Sequence, residues 1–136
     1  MNRQKLFDKA LYALRAQGVP CTDIHGDCIL EDDEGRHCAI GHLLPPSILA
    51  KVKGGWKLPE ESSTIHSYLK VKMDKDIQFL GALRGAHDLA AHHSDTFTLD
   101  TGSKINSNEH RTSFLSLFEQ EMADVAFRFK LKYEAP

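Results

Sequence analysis

The sequence predicts an α+β domain: a small antiparallel β-hairpin or sheet packed against three to five helices. Three observations predict it. Apolar side chains recur at helical spacing in three long stretches. A central stretch instead alternates on either side of a turn that ends in glycine. The chain of 136 residues, 41% apolar and 26% charged, matches one globular domain over 1–136 that needs no disulfide or metal to hold its core. A net charge of -2 gives no reason to expect nucleic acid or an anionic membrane as partner.

The first helix is expected over 3–17, with Leu6, Phe7, Ala10, Leu11 and Leu14 on one face, Asn2 as cap and Gly18 closing the end. The hairpin pairs residues 28–32 with 36–40 around Asp33-Glu34-Gly35, setting Asp32 against Arg36 and Leu30 against Cys38. In that register Cys28, Leu30, Cys38 and Ile40 share a face. Pro46 suits a first helical position, so Ser47 to Lys53 reads as two helical turns. Residues 64–73 fit either a strand or a helix, and a helix is preferred. Residues 75–92 form the next helix, capped by Asp74, with Ile77, Leu80, Leu83, His87 and Ala90 or Ala91 inward. Gly81 and Gly85 within it suggest a close approach by another element. Residues 93–111, rich in Ser, Thr, Asn and Asp, read as a long mobile loop. The last helix, 109–130, is capped by Asn108 and buries Phe114, Leu115, Phe118, Met122, Val125, Ala126 and Phe129. No internal repeat is apparent.

The N-terminus reads as a charged helix and not as a secretory signal. The longest apolar stretch, Leu43 to Ala50, is interrupted by Pro45 and Pro46 and cannot span a membrane. Three cysteines without a signal suggest reduced thiols in a cytosol. The expected location is the cytoplasm.

Three constellations can carry chemistry. His25, Cys28, Cys38 and His42 offer two sulfurs and two imidazoles, the donor set of a closed zinc site. Their spacing matches no standard pairing, so filling of a core by small thiols is preferred and no cofactor is expected. Cys38 with His87 and Asp88 is the candidate catalytic set for thiol chemistry. Adjacent helical residues diverge by about 100°, which argues against Asp88 orienting His87. His87-Asp88 with His66, His92, His93 and Asp124 offers the donors of a metal-dependent phosphohydrolase. The preferred reading is a core histidine hydrogen-bonded to a neighbouring element near Cys38–Gly41. No phosphate-cradling glycine loop and no nucleophile elbow are present. Lysines 51, 53, 57, 70, 72 and 75 near Trp56 and Tyr68 read as a solvated face.

Three segments resemble a family of small phage- and prophage-encoded proteins: LRAQGVPC (14–21), CILEDDEGRHCAIGHLLPP (28–46) and FLGALRGAHD (79–88). The family pattern is a C-x-Y-R…C-A-[IV]-G-x-L-I-P hairpin followed by an L-Q-x-x-H-D helix. This chain departs from it at Leu30, Glu31 and Arg84, and at Leu44-Pro45-Pro46. The resemblance implies an accessory protein of a phage or mobile element and implies no reaction. The leading expectation is a non-enzymatic binder or inhibitor of a bacterial host protein, with Trp56, Tyr68 and the 93–111 loop as contacts. The alternative is a small metal- or thiol-dependent hydrolase using Cys38, His42 and His87.

Overall fold

Helix α1 (Arg3–Gln17) forms as its pattern dictates. Asn2 accepts from the Lys5 N–H at 3.0 Å, and left-handed Gly18 returns its own N–H to Leu14 at 2.8 Å. Phe7, Ala10, Leu11 and Leu14 are buried. The structure, a computed structural model, describes residues 1–54, 58–101 and 107–136, and the side chains of 95–112 lie outside that description. The remaining helices are α2 (Pro46–Val52), α3 (Ser63–Leu69), α4 (Asp74–Thr101) and α5 (Ser107–Phe129), with 3-10 turns at Gly41–Leu43 and Pro59–Glu61.

The α+β expectation is overturned. Among the described residues there is no strand and no sheet; the chain is mostly helical. Two isolated antiparallel bridges, Thr22–Cys28 and Glu31–His37, stand where a hairpin was expected. Asp32 N–H reaches Arg36 O at 3.0 Å and Cys38 N–H reaches Leu30 O at 3.2 Å, but no ladder grows from them. Competing acceptors and donors explain this. The Arg36 N–H turns to Asp32 Oδ1 and the Cys38 carbonyl takes the His42 N–H, while Gln17 occupies the outward-facing N–H and carbonyl of His37, both at 2.9 Å, where a further strand would pair. Beyond it the chain coils into a 3-10 turn, with His42 N–H on Cys38 O and Leu43 N–H on Ile40 O.

What replaces the hairpin is a pair of matching loops nine residues apart, Asp23–Asp27 and Asp32–Arg36. In each, the leading aspartate Oδ1 accepts two backbone N–H groups: His25 and Asp27 in the first at 2.8 and 3.0 Å, Glu34 and Arg36 in the second at 2.9 Å each. Each also turns on a left-handed glycine, Gly26 at φ 85° and Gly35 at φ 78°. Such Asx turns satisfy the backbone locally. They form a short internal repeat, Asp-x-x-Gly at 23–26 and 32–35, where none was expected.

The core lies between α1, α4 and α5. The last two run antiparallel: Phe79 near the start of α4 meets Phe129 at the end of α5 edge-on, 5.4 Å between centroids. Phe114 and Phe118 stack at 5.7 Å, and Leu80, Leu83, Met122 and Val125 complete the interface. The stretch expected as a mobile loop, 93–111, is helical over 93–101 and 107–111; residues 102–106 lie outside the described residues. Its polar side chains disguised a continuation of both helices, and Asn108 stands inside α5 rather than capping it. Asp74 likewise opens α4 as its first residue. The close approach expected at Gly81 and Gly85 is absent: a Cβ on Gly81 would meet Glu60 at an ordinary 3.5 Å, and one on Gly85 would meet nothing within 4 Å.

Candidate functional site

His87 projects from α4 into the core and is fully buried. The Cys21 backbone N–H donates to its Nε2 at 3.0 Å, so that nitrogen keeps its lone pair and the proton sits on Nδ1. Nδ1–H donates to Asp88 Oδ1 at 2.9 Å. The expectation that neighbouring helical residues cannot pair is therefore corrected. Their Cβ directions diverge, but Nδ1 is the ring nitrogen nearer the backbone, and the short aspartate side chain leans back to meet it. The anticipated partner region, Cys38–Gly41, is also replaced: the histidine ties α4 to the segment entering the double loop.

Asp88 is the hub. Its Oδ2 accepts from Arg84 Nη1 at 2.9 Å, and the Cys28 sulfur lies within 4.8 Å of the same carboxylate. Burial works to raise the Asp88 carboxyl, but His87, Cys28 and Arg84 outweigh it and hold it below the usual range. Arg84 also grips Glu60 through Nε at 2.8 Å and Nη2 at 2.8 Å. Glu60, read in the sequence only as part of an acidic run, is buried by this pairing. Its carbonyl in turn accepts from the His66 ring.

The thiols are held neutral. Burial pushes Cys21 up to about 12 and Cys38 up to about 11, and it raises Cys28 as well. Cys21 Sγ lies 3.2 Å from the carbonyls of both Ile29 and Arg36. Cys38 Sγ accepts from the Gly41 N–H at 3.4 Å. Gly41 is obligatory there, since a Cβ would fall 2.2 Å from Leu30 O. His42 Nε2 donates to Gln17 Oε1 at 2.8 Å, its ring lies 5.0 Å from that of His37, and burial lowers it to about 4.

The hydrolase trio Cys38, His42 and His87 thus divides among three separate partners: Gly41, Gln17, and the Cys21–Asp88 pair. The zinc quartet is likewise dispersed. His25 is exposed on the first loop, and Cys28, Cys38 and His42 are engaged elsewhere. Among the described residues one group of metal-type donors does converge, Cys28, His87 and Asp88, with its ligand atoms within 4.8 Å of one another. The tautomer counts against a metal there. An ion on Nδ1 would require the proton to move to Nε2, where it would oppose the Cys21 N–H, donor against donor. His66 binds the Glu60 carbonyl, and Asp124 is half exposed beside Arg128, so neither joins the group. Tyr68 lies on α3, 45% exposed; Trp56 lies outside the described residues.

The fold and the site define a helical protein whose polar residues form an internal relay from Cys21 through His87, Asp88 and Arg84 to Glu60. No family model, no curated protein and no solved structure matches this chain. Among the described residues no helix is long and apolar enough to cross a membrane.

Proposed function

We propose that the chain is a phage- or mobile-element-encoded accessory protein that binds a protein of its bacterial host, in the host cytoplasm, and acts through that contact. The observation carrying this reading is how the reactive groups are used. Both nitrogens of His87 are bonded within the protein and the three thiols are held protonated. These groups therefore serve to brace the double loop against α4. The phage or mobile-element origin is part of the proposal and rests on the resemblance of segments 14–21, 28–46 and 79–88 to phage proteins.

The contact is assigned to the face shared by α2 and α3. There Tyr68 borders an open hollow of about 520 Å³ with Ile48, Lys51 and Ser67. A half-exposed tyrosine beside an aliphatic side chain and a lysine suits a protein partner, because aromatic side chains are enriched at such interfaces. Affinity capture from a bacterial lysate, run in parallel with the native chain and Tyr68→Glu, tests this. One host protein should be retained by the native chain, bind it again when purified, and bind the variant at least tenfold more weakly. Failure to retain any such protein, or equal retention by the variant, sinks the reading.

A further inference from the structure

Between the double loop and α4 lies a half-open pocket of about 310 Å³, within the range of small-molecule sites. Its walls include Cys28, Leu30, Val52 and Leu58, and its polar end is formed by Arg84 and Asp88. These two residues have hydrogen-bonding capacity left over. Arg84 spends its Nε–H and one N–H on each terminal nitrogen on Glu60 and Asp88. A guanidinium has about five such hydrogens, so one on each Nη is unspent among the described residues. Among the described residues Asp88 receives hydrogen bonds from His87 and Arg84. A carboxylate offers about four lone-pair sites, so acceptor capacity remains.

The charges at this end are one guanidinium between two carboxylates, Glu60 and Asp88. A ligand carboxylate would add a further negative charge beside them. An ammonium would lie against the guanidinium and leave its spare N–H groups unanswered. A neutral group carrying a carbonyl next to an N–H answers both residues and adds no charge to a part-buried site. The apolar walls call for a hydrocarbon or aromatic body behind that group.

We propose that this pocket is a binding site for a small neutral ligand with an apolar body and a carboxamide-type edge, its carbonyl on Arg84 and its N–H on Asp88. The proposal is independent of the protein-binding face on α2 and α3, since it needs only the isolated chain.

Three probes of one shape decide it: 3-phenylpropionamide, 3-phenylpropionate and 3-phenylpropylammonium. Each is titrated into the full chain and followed by backbone amide NMR. The amide should bind saturably, shift the signals of Cys28 to Leu30, Val52 and Arg84 to Asp88, and bind at least tenfold more tightly than either charged probe. Val52→Trp, which fills the mouth from one wall, should weaken amide binding at least tenfold. Leu58→Trp does the same from the rim and serves if the first variant loses its dispersed spectrum. Absence of saturable amide binding overturns the proposal. So does a charged probe that matches the amide, or a folded blocking variant that binds as the native chain does.

Discussion

Gly41 shows how one missing methyl sets local structure. Its amide reaches back to the Cys38 sulfur while the Leu30 carbonyl occupies the space a Cβ would need. Gly41→Ala should therefore cost about 1–3 kcal/mol through overpacking, read as a lower urea midpoint with an unchanged slope. His42 carries a pH signature. Its folded value is about 4, against about 6.5 when unfolded. Between those values the unfolded chain takes up a proton that the folded chain refuses. The contribution is thus complete above pH 6.5 and is lost as pH falls toward 4. The loss is on the order of 2 kcal/mol, allowing for partial exposure. Urea unfolding at pH 7.5 and 4.5 should show a smaller drop for His42→Gln than for the native chain.

At the scale of elements, α3 ends on a residue poorly suited to its place. Lys70 adopts the left-handed conformation at φ 60°, the position where glycine closes helices without strain. Lys70→Gly should stabilise the protein by about 0.5–1 kcal/mol, measurable as a higher thermal midpoint. The helices were legible in the sequence because burial imposes a periodicity on them. Phe7, Leu11 and Leu14 on α1, and Phe114, Phe118 and Met122 on α5, follow it. The hairpin was misread because alternation reports side-chain direction and not where backbone amides find partners. Asp32 took the Arg36 N–H and the His42 N–H took the Cys38 carbonyl. The signal was visible as Asp-x-x-Gly at 23–26 and again at 32–35. In the site, His87 was legible as a core histidine on an apolar stripe. Its bond to Asp88 was hidden by arguing from Cβ direction alone, and the Glu60–Arg84 pair spans 24 positions with no local pattern.

For the whole molecule, the chain ends meet and hold the helices together. Arg15 on α1 pairs with Glu119 on α5, which also receives the Tyr133 hydroxyl, and Arg15 donates to the Glu134 carbonyl at 2.7 Å. Gln4 reads both backbone groups of Lys132, accepting its N–H at 2.8 Å and donating to its carbonyl at 3.1 Å. Leu131 and Tyr133 pack on the core as well. Removing residues 131–136 should lower the thermal midpoint by about 10 °C, as followed by circular dichroism at 222 nm, because about 2–3 kcal/mol of packing and bonding disappears.

The paired aspartate loops remove a surface on which one copy of the chain could add to another. A sulfur-bearing hairpin would have a long rim onto which a neighbouring molecule could add, and an alignment that could shift by one residue. Two knots, each tied by its own carboxylate, present no continuous rim and no alignment to lose, and the short span of each makes it quick to tie.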